Sequence, residues 1–161
     1  MVKKALVIVD AWEDLVAHDA ATYPHLADEM KSFGGFLNEV CKIERKKGTR
    51  IIHSYAHYTT HSGPMKDIEI YPEDMVIPNA NDIMAAIEAD GDSIDELYWC
   101  GFHFGVCVHG QAEAGVGDKA NIVTNLCLLF PIHSWKEMFA SKQTFNYYLW
   151  SQNGFEEVNI L

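Results

Sequence analysis

Residues 5–9 of the chain read ALVIV, an unbroken apolar run that stops at Asp10. A run without polar alternation suits a strand covered on both faces, as in a parallel sheet with a helix layer on each side. The next pattern has helical spacing. Leu26, Met30, Phe33, Leu37 and Val40 recur every three to four positions, with Pro24 suited to the first turn, Lys46 and Lys47 to the last, and Gly48 to the stop. Gly34 and Gly35 weaken this helix without breaking it. A second strand is expected over 50–54. The stretch 55–81 carries Pro64, Pro72 and Pro78 and reads as a long loop with a short strand around 75–77; loops of that length are commonly functional.

Further on, the pattern predicts a helix over 81–89, a strand over 96–101, a helix over 106–116 and a strand over 121–129. Ser134 and Glu137 form a capping-box pair that opens a last long helix, expected to end near Gly154, before a closing strand over 155–161. Strands that alternate with helices, with no hairpin signal between them, predict one domain over 1–161. Its class is α/β: a three-layer α/β/α, Rossmann-like domain with a mostly parallel central sheet. In such sheets a ligand sits beyond the carboxyl ends of the strands. Two places follow from that rule: Asp10, and the end of the 96–101 strand as it runs into Cys107.

Composition bounds the function. The chain has 161 residues, and 48% hydrophobic with 22% charged residues is the balance of a globular domain. A net charge of −11 repels phosphates and argues against a nucleic-acid surface. No apolar run approaches the roughly 20 residues of a membrane span. The start, MVKKALVIVDAW, has two lysines and an apolar run too short for a signal peptide, so a cytoplasmic protein is expected. Cys41, Cys100, Cys107 and Cys127 show no paired spacing and read as reduced thiols.

Cys107 lies in GFHFGVCVHG, at or just inside a predicted helix start. A lone cysteine is ordinarily a small buried hydrophobe, and an aspartate after a strand ordinarily a turn or cap residue. Position alters the reading. A thiol at a helix N-terminus lies near unpaired N–H groups and the positive end of the helix dipole, which favour thiolate and can stabilise an oxyanion.

The segment ALVIVDAWEDLV resembles the first-strand motif of the isochorismatase-like cysteine hydrolases, an apolar run followed by D-x-Q-x-D-F. Asp10 falls on the catalytic aspartate, Asp14 on the second aspartate and Leu15 on the aromatic. The segment LYWCGFHFGVCVHGQAEAG resembles that family's G-[VI]-x-[TS]-x-x-C-V-x-x-[TS]-A. Gly101 falls on the glycine, Cys107 on the nucleophile, Val108 on the valine and Ala112 on the alanine. The resemblance implies that Asp10 takes the Cys107 proton, that the thiolate attacks the carbonyl of a small amide-like substrate, and that water releases the acyl-enzyme. It implies a small-molecule substrate, no cofactor, and a homo-oligomer. Weaker alternatives are a vinyl-ether hydrolase of the isochorismatase type, and a member without turnover that binds a small aromatic ligand or a protein partner.

The sequence departs from the family pattern at several positions. A lysine is expected near residues 76–81, which read VIPNAN; the nearest, Lys66, lies ten positions earlier. His103 is the other candidate to assist the pair. Phe104 stands where the family has threonine or serine, and the family's cis peptide would fall between His103 and Phe104. Trp12 replaces the glutamine. Trp12, Phe102, Phe104, Gly105 and Val106 are therefore expected to line an aromatic substrate pocket. His57 and His61 lie where nicotinamidases of this family hold a metal. Tyr55 stands in place of the carboxylate ligand, so these histidines read as surface or pocket residues rather than as a metal site.

Overall fold

The computed structural model describes residues 1–54 and 63–160. Tyr55, His57 and His61 lie outside the described residues, so the metal alternative is neither supported nor opposed by them.

The ALVIV run lies in β1 (Lys4–Val9), whose residues from Ala5 onward are all buried. A helix not assigned from the sequence, α1 (Glu13–Thr22), follows it, and α2 (Pro24–Lys46) follows that with proline in its first turn. The signal for α1 is weak because only Asp19 in it is buried; a helix with no continuous apolar stripe leaves no periodic trace. In α2, Gly34 has a packing role: a methyl there would stand 3.0 Å from Met65 Cε. Met65 and Ile68 therefore press onto the helix at a point where a larger residue would displace the end of the Met65 side chain.

The remaining strands are β2 (Arg50–Ser54), β3 (Met75–Ile77), β4 (Glu96–Phe102), β5 (Asn121–Leu128), β6 (Asn146–Ser151) and β7 (Gly154–Val158). They form one sheet in the order β3-β2-β1-β4-β5-β6-β7. Every pairing is parallel except β6 with β7. The helices α3 (Ile83–Ala89), α4 (Cys107–Val116) and α5 (Trp135–Ser141) complete the chain.

Helices cover both faces of the sheet. Successive strand residues point to opposite sides, so Phe102 and Trp99 of β4 face different layers. Phe102 packs edge-on against Phe33 of α2, with ring centroids 5.7 Å apart. Trp99 lies under α4, where a methyl at Gly115 would stand 3.1 Å from its ring. This is the expected three-layer arrangement. The sequence runs outward from β1 in both directions, first to β2 and β3 and then to β4 and β5. The order therefore reverses between β1 and β4, and the crevice for a ligand opens there.

The last third differs from expectation. The capping box at Ser134 and Glu137 is present, but α5 ends at Ser141, and the aromatic residues expected on a long helix lie on β6. That strand turns back into β7 through Gln152 and Asn153, with Ser151 opposite Gly154. Gly154, the first residue of β7, takes φ +124°, a backbone conformation that favours glycine where the turn re-enters the sheet. The aromatics divide between the two faces of the strand. Tyr147 is buried against Phe139 of α5, with centroids 5.1 Å apart, while Trp150 meets Phe36 of α2.

Candidate active site

Asp10 follows β1 directly. Its N–H donates to the Ser54 carbonyl at 2.9 Å, which extends the β1–β2 ladder by one bond. It then adopts φ +56°, the only positive φ outside glycine among the described residues, and so turns the chain out of the sheet. Its side chain is buried, at 5% exposure. Gly101 on β4 lies opposite Val9, with φ +113°. A methyl there would stand 2.5 Å from the Val9 carbonyl oxygen. Glycine therefore allows β4 to approach β1 beside Asp10.

Beyond β4 the chain makes a tight loop into α4. Phe102 still pairs with Leu128 of β5, and the cis peptide is the bond that leaves the strand, Phe102–His103. That is one residue earlier than the motif comparison had placed it. The loop satisfies most of its own donors. Phe104 N–H donates to the Leu128 carbonyl at 2.9 Å, and the N–H groups of Val106 and Val108 both donate to the His103 carbonyl at 3.2 Å. Gly105 N–H donates to His109 Nδ1 at 2.8 Å. The expectation of a helix start rich in unpaired N–H groups is thus corrected for these four. Cys107 is the first residue of α4 and half-buried, whereas Cys41, Cys100 and Cys127 are buried. Burial pushes the Cys41 thiol up to about 12, and raises Cys100 and Cys127 as well.

One turn after Cys107, Gln111 joins the site. Its Nε2 donates to Asp10 Oδ1 at 2.9 Å, and its Oε1 accepts from Ser54 Oγ at 2.7 Å. Both contacts are buried. A helical side chain covers the turn on the N-terminal side of its own Cα, so Gln111 reaches back over the turn that Cys107 begins. Residues from β1, β2 and α4 thus meet at the point where the strand order reverses. The sequence signal for Gln111 is its departure from the family motif, which has threonine or serine there; the departure does not by itself reveal the bond to Asp10.

The other sequence candidates divide. Trp12 is buried beside Asp10, with its N–H donating to the Asp10 carbonyl at 2.9 Å. Val106 is 45% exposed at the mouth of the loop. Gly105 takes φ +76° under Met138, whose side chain occupies the space a methyl would need. Phe102 and Phe104 are fully buried. The Phe104 ring packs on His109, Trp135 and Phe139, so these two phenylalanines are core residues, not the walls of an open pocket. Lys66 is exposed, with its backbone N–H donating to Glu13.

His103 is buried, with its ring 4.9 Å from that of Phe130 and no partner for Nε2 among the described residues. Burial, reinforced by His133, pushes its pKa down to about 4. A proton shuttle near neutral pH needs a pKa close to the working pH, so His103 is poorly suited to the acid–base role expected of it. His109 is also buried. Since Nδ1 accepts from Gly105, Nε2 carries the proton and donates to Tyr147 Oη at 3.1 Å, and Tyr147 donates to the Lys142 carbonyl at 2.8 Å. Burial, followed by Lys142, pushes the His109 pKa down to about 3. It ties the loop before α4 to β6.

No protein-family model matches the sequence, and no curated protein matches it. Solved structures do match its fold. N-carbamoylsarcosine amidase from Thermoplasma acidophilum aligns at a TM-score of 0.65 and 17% identity, over 91% of this chain and 95% of that one. Pyrazinamidase of Pyrococcus horikoshii, in complex with zinc, aligns at 0.63 and 15%, over 92% and 99%. An isochorismatase family protein from Desulfovibrio vulgaris aligns at 0.62 and 14%, over 89% and 88%. The chain has the isochorismatase-like fold.

Within the isochorismatase-like fold this chain is divergent at its centre. The span where the lysine is expected is the end of β3 and the short turn Ala80–Asp82, in which Asn79 Oδ1 accepts from Asn81 N–H at 3.1 Å. No cation is offered there. Gln111, the donor that does reach Asp10, stands at the second [TS] position of the nucleophile motif. At the opposite edge of the isochorismatase-like sheet a cavity of about 310 Å³ is lined by Lys3, Arg45, Arg50, Asp74 and Asp92. Its charges pair with acidic partners, including Arg50 with Asp90 at 2.6 Å and Lys3 with Asp92 at 3.4 Å.

Proposed function

We propose that this protein is a cysteine hydrolase that cleaves the carbon–nitrogen bond of a small amide-like substrate. The observation that carries the reading is the hydrogen bond from Gln111 to Asp10. It ties the carboxylate at the end of β1 to the helix that Cys107 begins, at the ligand-binding edge of the sheet. Two of the structures that share the fold are amidases by name, and amide hydrolysis is a chemistry that a cysteine nucleophile with a carboxylate as acid and base serves.

In this mechanism Asp10 takes the proton from Cys107 Sγ as sulfur bonds to the substrate carbonyl carbon. The protonated Asp10 then passes that proton to the leaving nitrogen, and the C–N bond breaks to leave a thioester. Water attacks the thioester while Asp10 again takes a proton, and the departing sulfur receives it, which restores thiol and carboxylate. The four free cysteines fit a reducing cytoplasm.

The test has two parts. Iodoacetamide near neutral pH, read by mass spectrometry, is expected to label Cys107 faster than Cys41, Cys100 and Cys127, because burial holds those three as thiols. In a screen of small amides, Cys107→Ala is expected to abolish any turnover found in the wild type. Labelling at Cys107 no faster than at the buried thiols, together with no turnover by folded wild type, would transfer the assignment to a ligand-binding member without catalysis. That second reading draws on the lack of a lysine over 76–81 and on the exposure of Lys66.

A further inference from the structure

An aspartate that alternately takes and gives a proton must be held in place in both forms. A lysine suits the carboxylate, since an ammonium has three donors and no acceptor, and its charge penalises the protonated acid. Here one group that reaches Asp10 is a neutral amide, the Gln111 side chain. Its orientation follows from its partners: ionised Asp10 only accepts, so Nε2 must face Oδ1, and Oε1 is left for the Ser54 hydroxyl. Ser54 is fully buried and Gln111 nearly so, so water does not compete for the chain. The backbone fixes the same geometry independently, because Asp10 N–H donates to the carbonyl of Ser54 itself.

We propose that Gln111, oriented by Ser54, is a positioning residue for Asp10 and holds it through an uncharged donor. The proposal rests on the hydrolase reading for its purpose, since Asp10 needs such a holder only if it carries protons for Cys107. A neutral donor stabilises the carboxylate by one hydrogen bond and leaves the acid accessible. Asp19 of α1 feels the Asp10 charge, and α4 begins at Cys107.

The test is the titration of the Asp10 carboxyl carbon, followed by carbon-13 NMR in the full-length protein and assigned with Asp10→Asn. Gln111→Leu is expected to raise the midpoint by about one pH unit, and Gln111→Lys to lower it by at least about as much. Ser54→Ala, which keeps Gln111 but frees its amide to turn, is expected to raise the midpoint by a smaller step. If Gln111→Leu does not fold, the Lys and Ala variants decide. Midpoints that do not move in the folded variants, or that move in the opposite order, overturn the proposal. Cys107 labelling in the wild type is judged separately, so slow labelling with the expected midpoints would sink the hydrolase reading and leave the positioning intact.

Discussion

A methyl group at Gly101 would press on the backbone of Val9, which cannot move without breaking the β1–β4 ladder, and φ +113° is strained for any residue with a Cβ. Gly101→Ala is expected to cost at least about 3 kcal/mol and to lower Tm by about 10 °C. Gly105→Ala is a milder case. Its obstruction is the flexible side chain of Met138, so about 1–2 kcal/mol is expected, mainly for the left-handed backbone. Pairing it with Met138→Ala should not add the two losses, because the second change removes the clash. Denaturant melts of the two single variants and the double variant check both statements. At this scale the sequence was informative about position where a motif marks it, as at Asp10 after β1, Gly101 against Val9 and Cys107 at the start of α4. It was uninformative at Ser54 and Gln111, whose roles arise only when three elements meet.

Elements were readable in proportion to their periodicity. The apolar runs of β1 and β4 and the long stripe of α2 carry their own signal, and each lies within a residue or two of its expected bounds. Residues 142–158 did not, because aromatic density concealed the period of two. Along β6 only Tyr147 is buried, and Tyr148 and Trp150 are drawn to the other face by partners distant in sequence. The hairpin is fastened by Phe155 of β7, which stacks on Tyr98 of β4 with ring centroids 4.1 Å apart and planes 7° from parallel. Phe155→Ala is expected to cost about 2 kcal/mol and Phe155→Leu about half of that, since leucine keeps apolar cover but loses the stacked ring. Urea unfolding followed by tryptophan fluorescence measures both.

At the scale of the whole molecule, two buried histidines set the response to acid. The folded pKa values of His103 and His109, about 4 and about 3, lie below the ordinary value near 6.5. Between those limits the unfolded chain binds protons that the folded chain refuses, so unfolding free energy rises with pH. The contribution is complete above about pH 6.5 and is lost as pH falls toward 4. Moving from pH 7.5 to pH 5 should cost about 2–4 kcal/mol, read as a lower urea midpoint. Replacing His103 with Phe should remove a good part of that slope. Asp74 extends the trend to lower pH. Burial would raise it, but hydrogen bonds from His53 and Arg45 outweigh that and hold it at about 2. Its share is present above about pH 4 and lost on the way down to 2.

The sheet ends in two unlike borders. One is β3, only three residues long; the other is β7, whose Glu156 and Glu157 stand exposed. A bare strand edge is a template on which another chain can be added without limit, and shortness and like charge are two ways to deny it. A molecule that meets this one edge-on finds too few bonds on one side and two carboxylates on the other. On a chain of net charge −11, those carboxylates also oppose the approach of a second copy. Crowded at high concentration or partly opened by heat, the protein has a defence against fibrous growth that operates without Asp10, Gln111 or Cys107.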